Sequence, residues 1–236
     1  MSTIADRLTQ VRLRIRQAAD AAGRDPNSVR LLAVSKTRPV ADVEAALAAG
    51  QRAFGESYLQ DALPKIVAIG ERAEWHFIGP IQSNKTRQIA SHFAWVHSVD
   101  RLKIAQRLNE QRPAGLPALN ICLQVNISGE STKGGVSAER IPDLAEAVQQ
   151  LPHLRLRGLM AIPAPAGDET QQRRSFAQLH QLLERLNASG FSLDTLSMGM
   201  TDDLEAAIAE GATIVRIGTA IFGPRASKDP KTATME

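Results

Sequence analysis

Lys36 follows directly on the apolar run LLAVS (31–35), and Pro39 closes the extended segment that carries it. The commoner fate of such a lysine is a solvated or ion-paired side chain. Its chemical alternative is an amine that condenses with a carbonyl to form a Schiff base. An ordinary lysine, with a pKa of about 10.4, is unprotonated in only about one part in 2,500 at neutral pH. Burial, with Arg38 and Arg216 as neighbouring cations, would lower that pKa and expose the nucleophile.

A second group lies nearer the C-terminal end. SMGMTDD (197–203) sets Ser197, Gly199 and Thr201 before a helix whose expected cap is Asp202, with Glu205 three residues on. RIGTAIFG (216–223) sets Gly218 and Thr219 at the head of a short helix. Backbone N–H groups free at a helix start, with hydroxyls beside them, suit a phosphate. Ordinary capping and tight turning explain either loop taken alone. Arg216, two residues before Gly218, needs a partner if buried: a carboxylate across the core, or a ligand acceptor beside the phosphate.

Eight short apolar or β-branched runs must position these groups. They are LLAVS (31–35), RAFGE (52–56), WHFIG (75–79), FAWVHSV (93–99), LNICLQVNI (119–127), LRLRGLMAI (154–162), DTLSMG (194–199) and ATIVRIG (212–218). Helix-length connections between them imply parallel pairing. Eight strand–helix repeats in roughly 200 residues is the count that closes a (β/α)8 TIM barrel; an open doubly wound sheet is the competing arrangement. The closed form gathers Lys36, Glu56, Ser57, His76, Gly79, Asn126, Met160, Ser197, Gly199, Thr201, Arg216, Gly218 and Thr219 at the C-terminal strand ends, where such barrels carry function.

Ahead of the first strand, residues 3–22 read as an amphipathic helix. Ile4, Leu8, Val11 and Ile15 share a face, Arg7, Arg12, Arg14 and Arg16 face solvent, and Gly23 stops it. EAALAAGQRAFGES and EAAIAEGATIVRIGT echo one another, each with a helix ending at a glycine, Gly50 or Gly211. No linker divides the chain. Residues 1–236 are therefore expected to form one domain, with 1–23 as an extra N-terminal helix and 225–236 as a frayed tail.

Composition narrows the class. A net charge of +3, 43% hydrophobic and 22% charged residues are globular values, and 4% aromatics with no basic block argue against a nucleic-acid partner. No apolar run approaches the roughly 20 residues of a membrane span, and the first residues lack a signal peptide's apolar stretch. The single cysteine, Cys122, cannot form an internal disulfide, which fits the cytoplasm, and its apolar neighbours suit a small core residue. His92, His97, His153 and His180 lack metal-ligand spacing, so no metal is expected. His76 is either a mouth residue or a satisfied core histidine, and Lys133 either is solvated or reaches an anion at the mouth. GxGxxG, GxxxxGK[ST] and GxSxG are all absent, which removes support for dinucleotide, nucleoside triphosphate and serine-hydrolase chemistry.

A lysine after strand one, an arginine in strand eight and a phosphate loop beside it form the layout of a barrel that holds pyridoxal 5′-phosphate (PLP). The segments LLAVSKTRP, AFGESYLQD, WHFIGPIQSNK, LRLRGLMAIPAP, DTLSMGMTDDLEAAI and VRIGTAIFG resemble those of the pyridoxal phosphate homeostasis protein family, which is related to the N-terminal barrel of alanine racemase. The resemblance runs over residues 31–224. It implies that Lys36 holds PLP as an internal aldimine, that Arg216 faces the pyridine nitrogen, and that Ser197, Thr201, Gly218 and Thr219 surround the phosphate. One departure stands out: Gly55-Glu56-Ser57 replaces the family's usual Gly-Glu-Asn. Serine is shorter and offers no amide.

The implied role is PLP binding in vitamin B6 homeostasis without efficient turnover. An arginine at the pyridine nitrogen discourages ring protonation. The racemase's second acid/base, a tyrosine from a further domain, has no counterpart expected here, where Tyr58 is the single tyrosine. A cytoplasmic monomer with apo PLP enzymes as transient clients follows as the expected setting. A PLP-dependent amino-acid racemase or lyase is the alternative, and a Schiff-base aldolase or phosphate-binding isomerase without PLP is a third reading.

Overall fold

The structure is a computed structural model describing residues 2–130, 134–164 and 168–224; Lys133 and the segment 225–236 lie outside the described residues. The chain opens with α1 (Ile4–Ala21). Eight strand–helix units follow. The first four are β1 (Arg30–Val34) and α2 (Val40–Ala48), β2 (Ala53–Glu56) and α3 (Leu59–Ile69), β3 (Glu74–Phe77) and α4 (Thr86–His92), and β4 (Trp95–Val99) and α5 (Leu102–Glu110). The last four are β5 (Leu119–Gln124) and α6 (Ile141–Gln149), β6 (Leu154–Met160) and α7 (Glu169–Ala188), β7 (Thr195–Ser197) and α8 (Leu204–Ala209), and β8 (Ile214–Ile217) and α9 (Thr219–Phe222).

Every strand pairs in parallel with the next, and β8 pairs with β1 to close the barrel. The expected (β/α)8 architecture with an N-terminal helix is the one observed, and the open sheet is excluded. All eight strands fall within or against the expected segments, mostly shorter by one to three residues. The difference lies at their ends, where apolar residues such as Ile127 and Ile162 continue into loops.

The two-residue period of each strand sorts side chains into two compartments. Ala33, Phe54, Trp75, Val96, Ile121, Leu159, Leu196 and Val215 face outward into a continuous layer beneath the helices. Leu32, Ala53, Trp95, Cys122, Met160 and Ile214 face inward as a smaller cluster. Cys122 is sealed there, and burial pushes its thiol up to about 12. The interior also holds charged and polar groups: His76, His97, Ser197 and Arg216 are all buried.

α1 begins with a reciprocal cap, Thr3 Oγ1 accepting from the Asp6 N–H while the Asp6 carboxylate accepts from Thr3. Its apolar stripe of Leu8, Val11 and Ile15 is buried, and the helix packs against α2, α8 and α9. The arginines are less solvent-directed than the helical wheel suggests. Arg12 donates to the carbonyl of Ala49, and Arg14 donates to Glu205 and to the carbonyl of Thr201. Gly50 and Gly211 end α2 and α8 with positive φ, as the two echoing segments imply.

Packing rather than the surface ion pair holds α1 in place. Leu8→Ala is expected to cost about 2–5 kcal/mol in urea unfolding, because a fully buried leucine leaves a cavity. Arg14→Ala, which breaks a pair whose side chains are 38% and 52% exposed, is expected to cost less than about 1 kcal/mol.

Candidate functional site

A cavity of about 430 Å³ opens at the C-terminal ends of the strands. Lys36 comes to it from the end of β1, Ser57 and Tyr58 from β2, Gly79 from β3, Thr201 from the loop after β7, and Arg216, Gly218 and Thr219 from β8 and the start of α9. Five of the six expected binding residues therefore line one space, although 165 residues separate Lys36 from Thr201. Gly79 has to be glycine, since a Cβ there would stand 2.2 Å from the carbonyl oxygen of Ser57. Two backbones thus meet directly at the pocket wall.

Lys36 rides on a tight turn. The Arg38 N–H donates to the carbonyl of Ser35, and Thr37 takes φ 64°, the one non-glycine positive φ among the described residues. A β-branched residue in that region costs about 1–2 kcal/mol, so the surroundings must hold the turn. They do so from below. The buried Lys65 Nζ, from α3, donates to the Ser35 carbonyl at 2.7 Å and to Glu56 Oε1 at 2.7 Å. Ser35 Oγ donates to the same carboxylate oxygen at 2.6 Å, leaving Glu56 Oε2 without a partner. Burial pushes the Glu56 carboxyl above its usual range, against the opposing pull of Lys65 and Ser35.

The sequence sets Glu56 at a strand end without assigning it a role, and Lys65 is a functional residue that the strand-end pattern does not pick out. A signal existed: Lys65 occupies the stripe Leu59, Ala62, Lys65, Ile69 that α3 buries. A cation on an apolar face declares a buried partner. The Arg38 guanidinium donates to the carbonyls of Gly223 and Pro224.

Arg216 is 5% exposed. Its partners are the carbonyl and hydroxyl of Ser197 and the carbonyl of Ala161, not the carboxylate that a buried arginine usually finds. Burial lowers its pKa to about 10, which still leaves it charged at neutral pH. Ser197 is the expected phosphate residue that the fold does not bring to the cavity. As the last residue of β7 it points into the barrel, buried, between Arg216 and His97. The cap of α8 also differs: Asp203, one residue later than expected, precedes Leu204, and its carboxylate accepts from the Met200 N–H. The turn at residues 201–203 continues past Asp202, which frees Asp202 to line the cavity.

His76 is a core histidine rather than a mouth residue. Its Nδ1 lies 2.9 Å from His97 Nε2, and its Nε2 lies 2.6 Å from Glu74 Oε1. Burial lowers the pKa of both rings, and that of His97 well below the usual value. The place of His97 is set by the closed barrel, which joins β3, β4 and β7 where sequence spacing does not.

This fold and this lysine–arginine pair define a class. Residues 7–226 match the family model described as alanine racemase, N-terminal domain. The match to the alanine racemase of Corynebacterium glutamicum is one of fold, with 17% identity, TM-score 0.68, and coverage of 96% of this chain and 62% of that one. More narrowly, the chain belongs to the pyridoxal phosphate homeostasis protein family. It is 66% identical over 226 residues to the pyridoxal phosphate homeostasis protein of Pseudomonas aeruginosa, covering 95% of this chain and 97% of that one. Against the Escherichia coli K12 protein of the same name it is 52% identical over 229 residues, covering 95% and 98%. PipY of Synechococcus elongatus, solved with PLP bound, shares 34% identity and a TM-score of 0.82 over 94% of this chain and all of its own.

The buried pair beneath Lys36 carries its own test. Lys65→Met leaves Glu56 with its burial cost and no cation, for an expected loss of about 3–5 kcal/mol at neutral pH. Glu56 would then fold protonated. A carboxyl raised in the folded state stabilises below its ordinary pKa and loses that contribution as pH rises through the raised value. The deficit, read by urea unfolding, should therefore shrink as pH falls from 7 to 5.

Proposed function

We propose that this chain binds PLP in vitamin B6 homeostasis, with Lys36 holding the aldehyde carbon through a Schiff base. The convergence of Lys36, Arg216, Thr201, Gly218 and Thr219 on one cavity carries this reading. The donor set fits the ligand. The cavity lies in the range of small-molecule sites, about 300–1,000 Å³. The Thr201 and Thr219 hydroxyls and the opening N–H groups of α9 suit the phosphate, and the Arg216 guanidinium can donate to a ring nitrogen without giving up its proton. Bound PLP supplies an electrophilic aldehyde and an electron-withdrawing ring.

Three groups set the anchor. The Ser35–Glu56–Lys65 cluster fixes the turn that presents Lys36. Arg14, reaching from α1, holds the Thr201 carbonyl and with it the loop after β7. Arg216, charged at the pocket floor, keeps a ring nitrogen unprotonated and so favours holding the cofactor over using it. The names of the relatives support a role in homeostasis rather than turnover. The setting we infer is a single-domain monomer of the cytoplasm that passes PLP to apo enzymes.

One observation favours the second reading, a PLP-dependent racemase or lyase. Tyr58, 48% exposed, lines the same cavity as Lys36 and could offer an acid/base group to a bound amino acid. Deuterium exchange at the α-carbon of L-alanine, catalysed by the PLP-loaded protein and lost in Tyr58→Phe, would favour that enzyme.

Mixed with PLP, the protein is expected to develop a band at about 420 nm, which borohydride fixes as a pyridoxyl group on Lys36. Lys36→Ala should lose both signals while keeping its fold by circular dichroism. A colourless wild-type protein, or label on other lysines alone, would overturn the assignment.

A further inference from the structure

Four hydrogen bonds run in line through the barrel, from the mouth cavity to the opposite, N-terminal face. Arg216 Nη1 lies 2.9 Å from Ser197 Oγ, which lies 2.7 Å from His97 Nδ1. His97 Nε2 lies 2.9 Å from His76 Nδ1, and His76 Nε2 lies 2.6 Å from Glu74 Oε1. Arg30 closes the line, 2.9 Å from the same carboxylate oxygen. Five of the barrel strands contribute: β8, β7, β4, β3 and β1. The middle three groups are fully or nearly fully buried, whereas the Glu74 side chain is 36% exposed.

The ends of this line dictate its direction. A guanidinium can only donate, and a carboxylate can only accept. Ser197 Oγ therefore accepts from Arg216 and His76 Nε2 donates to Glu74; with both rings neutral, His97 Nδ1 is left unprotonated and takes the hydrogen of Ser197. A neutral His97 then carries its proton on Nε2 and donates to His76 Nδ1, and His76 donates from Nε2 to Glu74. With both rings neutral, the reverse arrangement would set a lone pair of His76 against the Glu74 carboxylate at 2.6 Å. One proton per ring satisfies every position. Burial favours this neutral state in both rings, and Arg30 on β1 adds to it at both and Arg216 on β8 at His97, while the Glu74 carboxylate pulls His76 the other way. Arg157 on β6 lies over Trp95, which stacks on His76. Cys122 on β5 is the remaining titratable group of the interior cluster, and its thiol stays protonated.

We propose that Glu74, His76, His97 and Ser197 form a one-way relay whose function is to position Arg216 for its ligand, so that the charge on the N-terminal face of the barrel is felt at the mouth. These are positioning residues, since none of the four lines the cavity. Arg216 has no carboxylate partner among its hydrogen bonds, and the relay supplies that carboxylate at a distance. Aligned donors polarise one another in a low-dielectric interior, which lets Glu74 act on a group three side chains away. Only the cofactor half of this proposal rests on the PLP reading; the relay itself stands on the geometry.

The test has two arms. In the ligand-free protein, ring 15N shifts should show His76 and His97 both neutral and both protonated on Nε2. Any other pattern at neutral pH overturns the relay. In the second arm, Ser197→Ala removes one buried oxygen and is expected to weaken PLP binding about tenfold, the effect of one hydrogen bond to a charged group. It should also move the absorbance band or its pH midpoint, with Ser197→Thr restoring both. Glu74→Gln, at the far end, should act in the same direction by a smaller factor. Unchanged affinity and spectrum in both Ser197→Ala and Glu74→Gln overturn the positioning role. Wild-type protein that binds no PLP overturns the cofactor reading instead, and the 15N pattern still decides the relay.

Discussion

A permanent cation sits inside a closed barrel, solvated by backbone carbonyls and one serine hydroxyl. The placement of Arg216 is the constraint from which much of the interior follows. A guanidinium this buried is tolerable only if its hydrogens are met, and Ala161 and Ser197 meet them from the ends of β6 and β7. Those strands must then end where they do, and the loops after them inherit their starting points. The mouth is shaped by the needs of this charge before any ligand is considered.

The same principle operates on a smaller scale beneath β1. There the unfavourable element is a backbone, the left-handed Thr37, and the compensation is the Ser35–Glu56–Lys65 cluster. Two costly features thus stand on adjacent strands, since β1 pairs with both β8 and β2. Each is held by partners drawn from elsewhere in the barrel. Strain and buried charge concentrated at one end of a fold are what a preorganised binding site requires.

The fold was legible because alternation of strand and helix is a local pattern, written in residues a few positions apart. So were Lys36, Thr201, Gly218 and Thr219, since a barrel's strand ends form one face and each of these follows a strand. The direction of the Ser197 side chain is not legible in the same way, because β7 is three residues long and its register is set by neighbours rather than by its own sequence. Asp202 and Asp203 differ only in where a turn stops. His97 and Glu74 carry no local signal at all: their meaning depends on contacts across 21 and 100 positions of chain, or across a two-residue step that only a strand makes vertical.

Cys122 lies in the innermost cluster, with no surface and a thiol held fully protonated. Its sulfur is therefore a clock built into the middle of the molecule. A thiol-directed dye can react only when the staves of the barrel part, so the labelling rate measures how often the whole cylinder opens, undiluted by fraying at its rim.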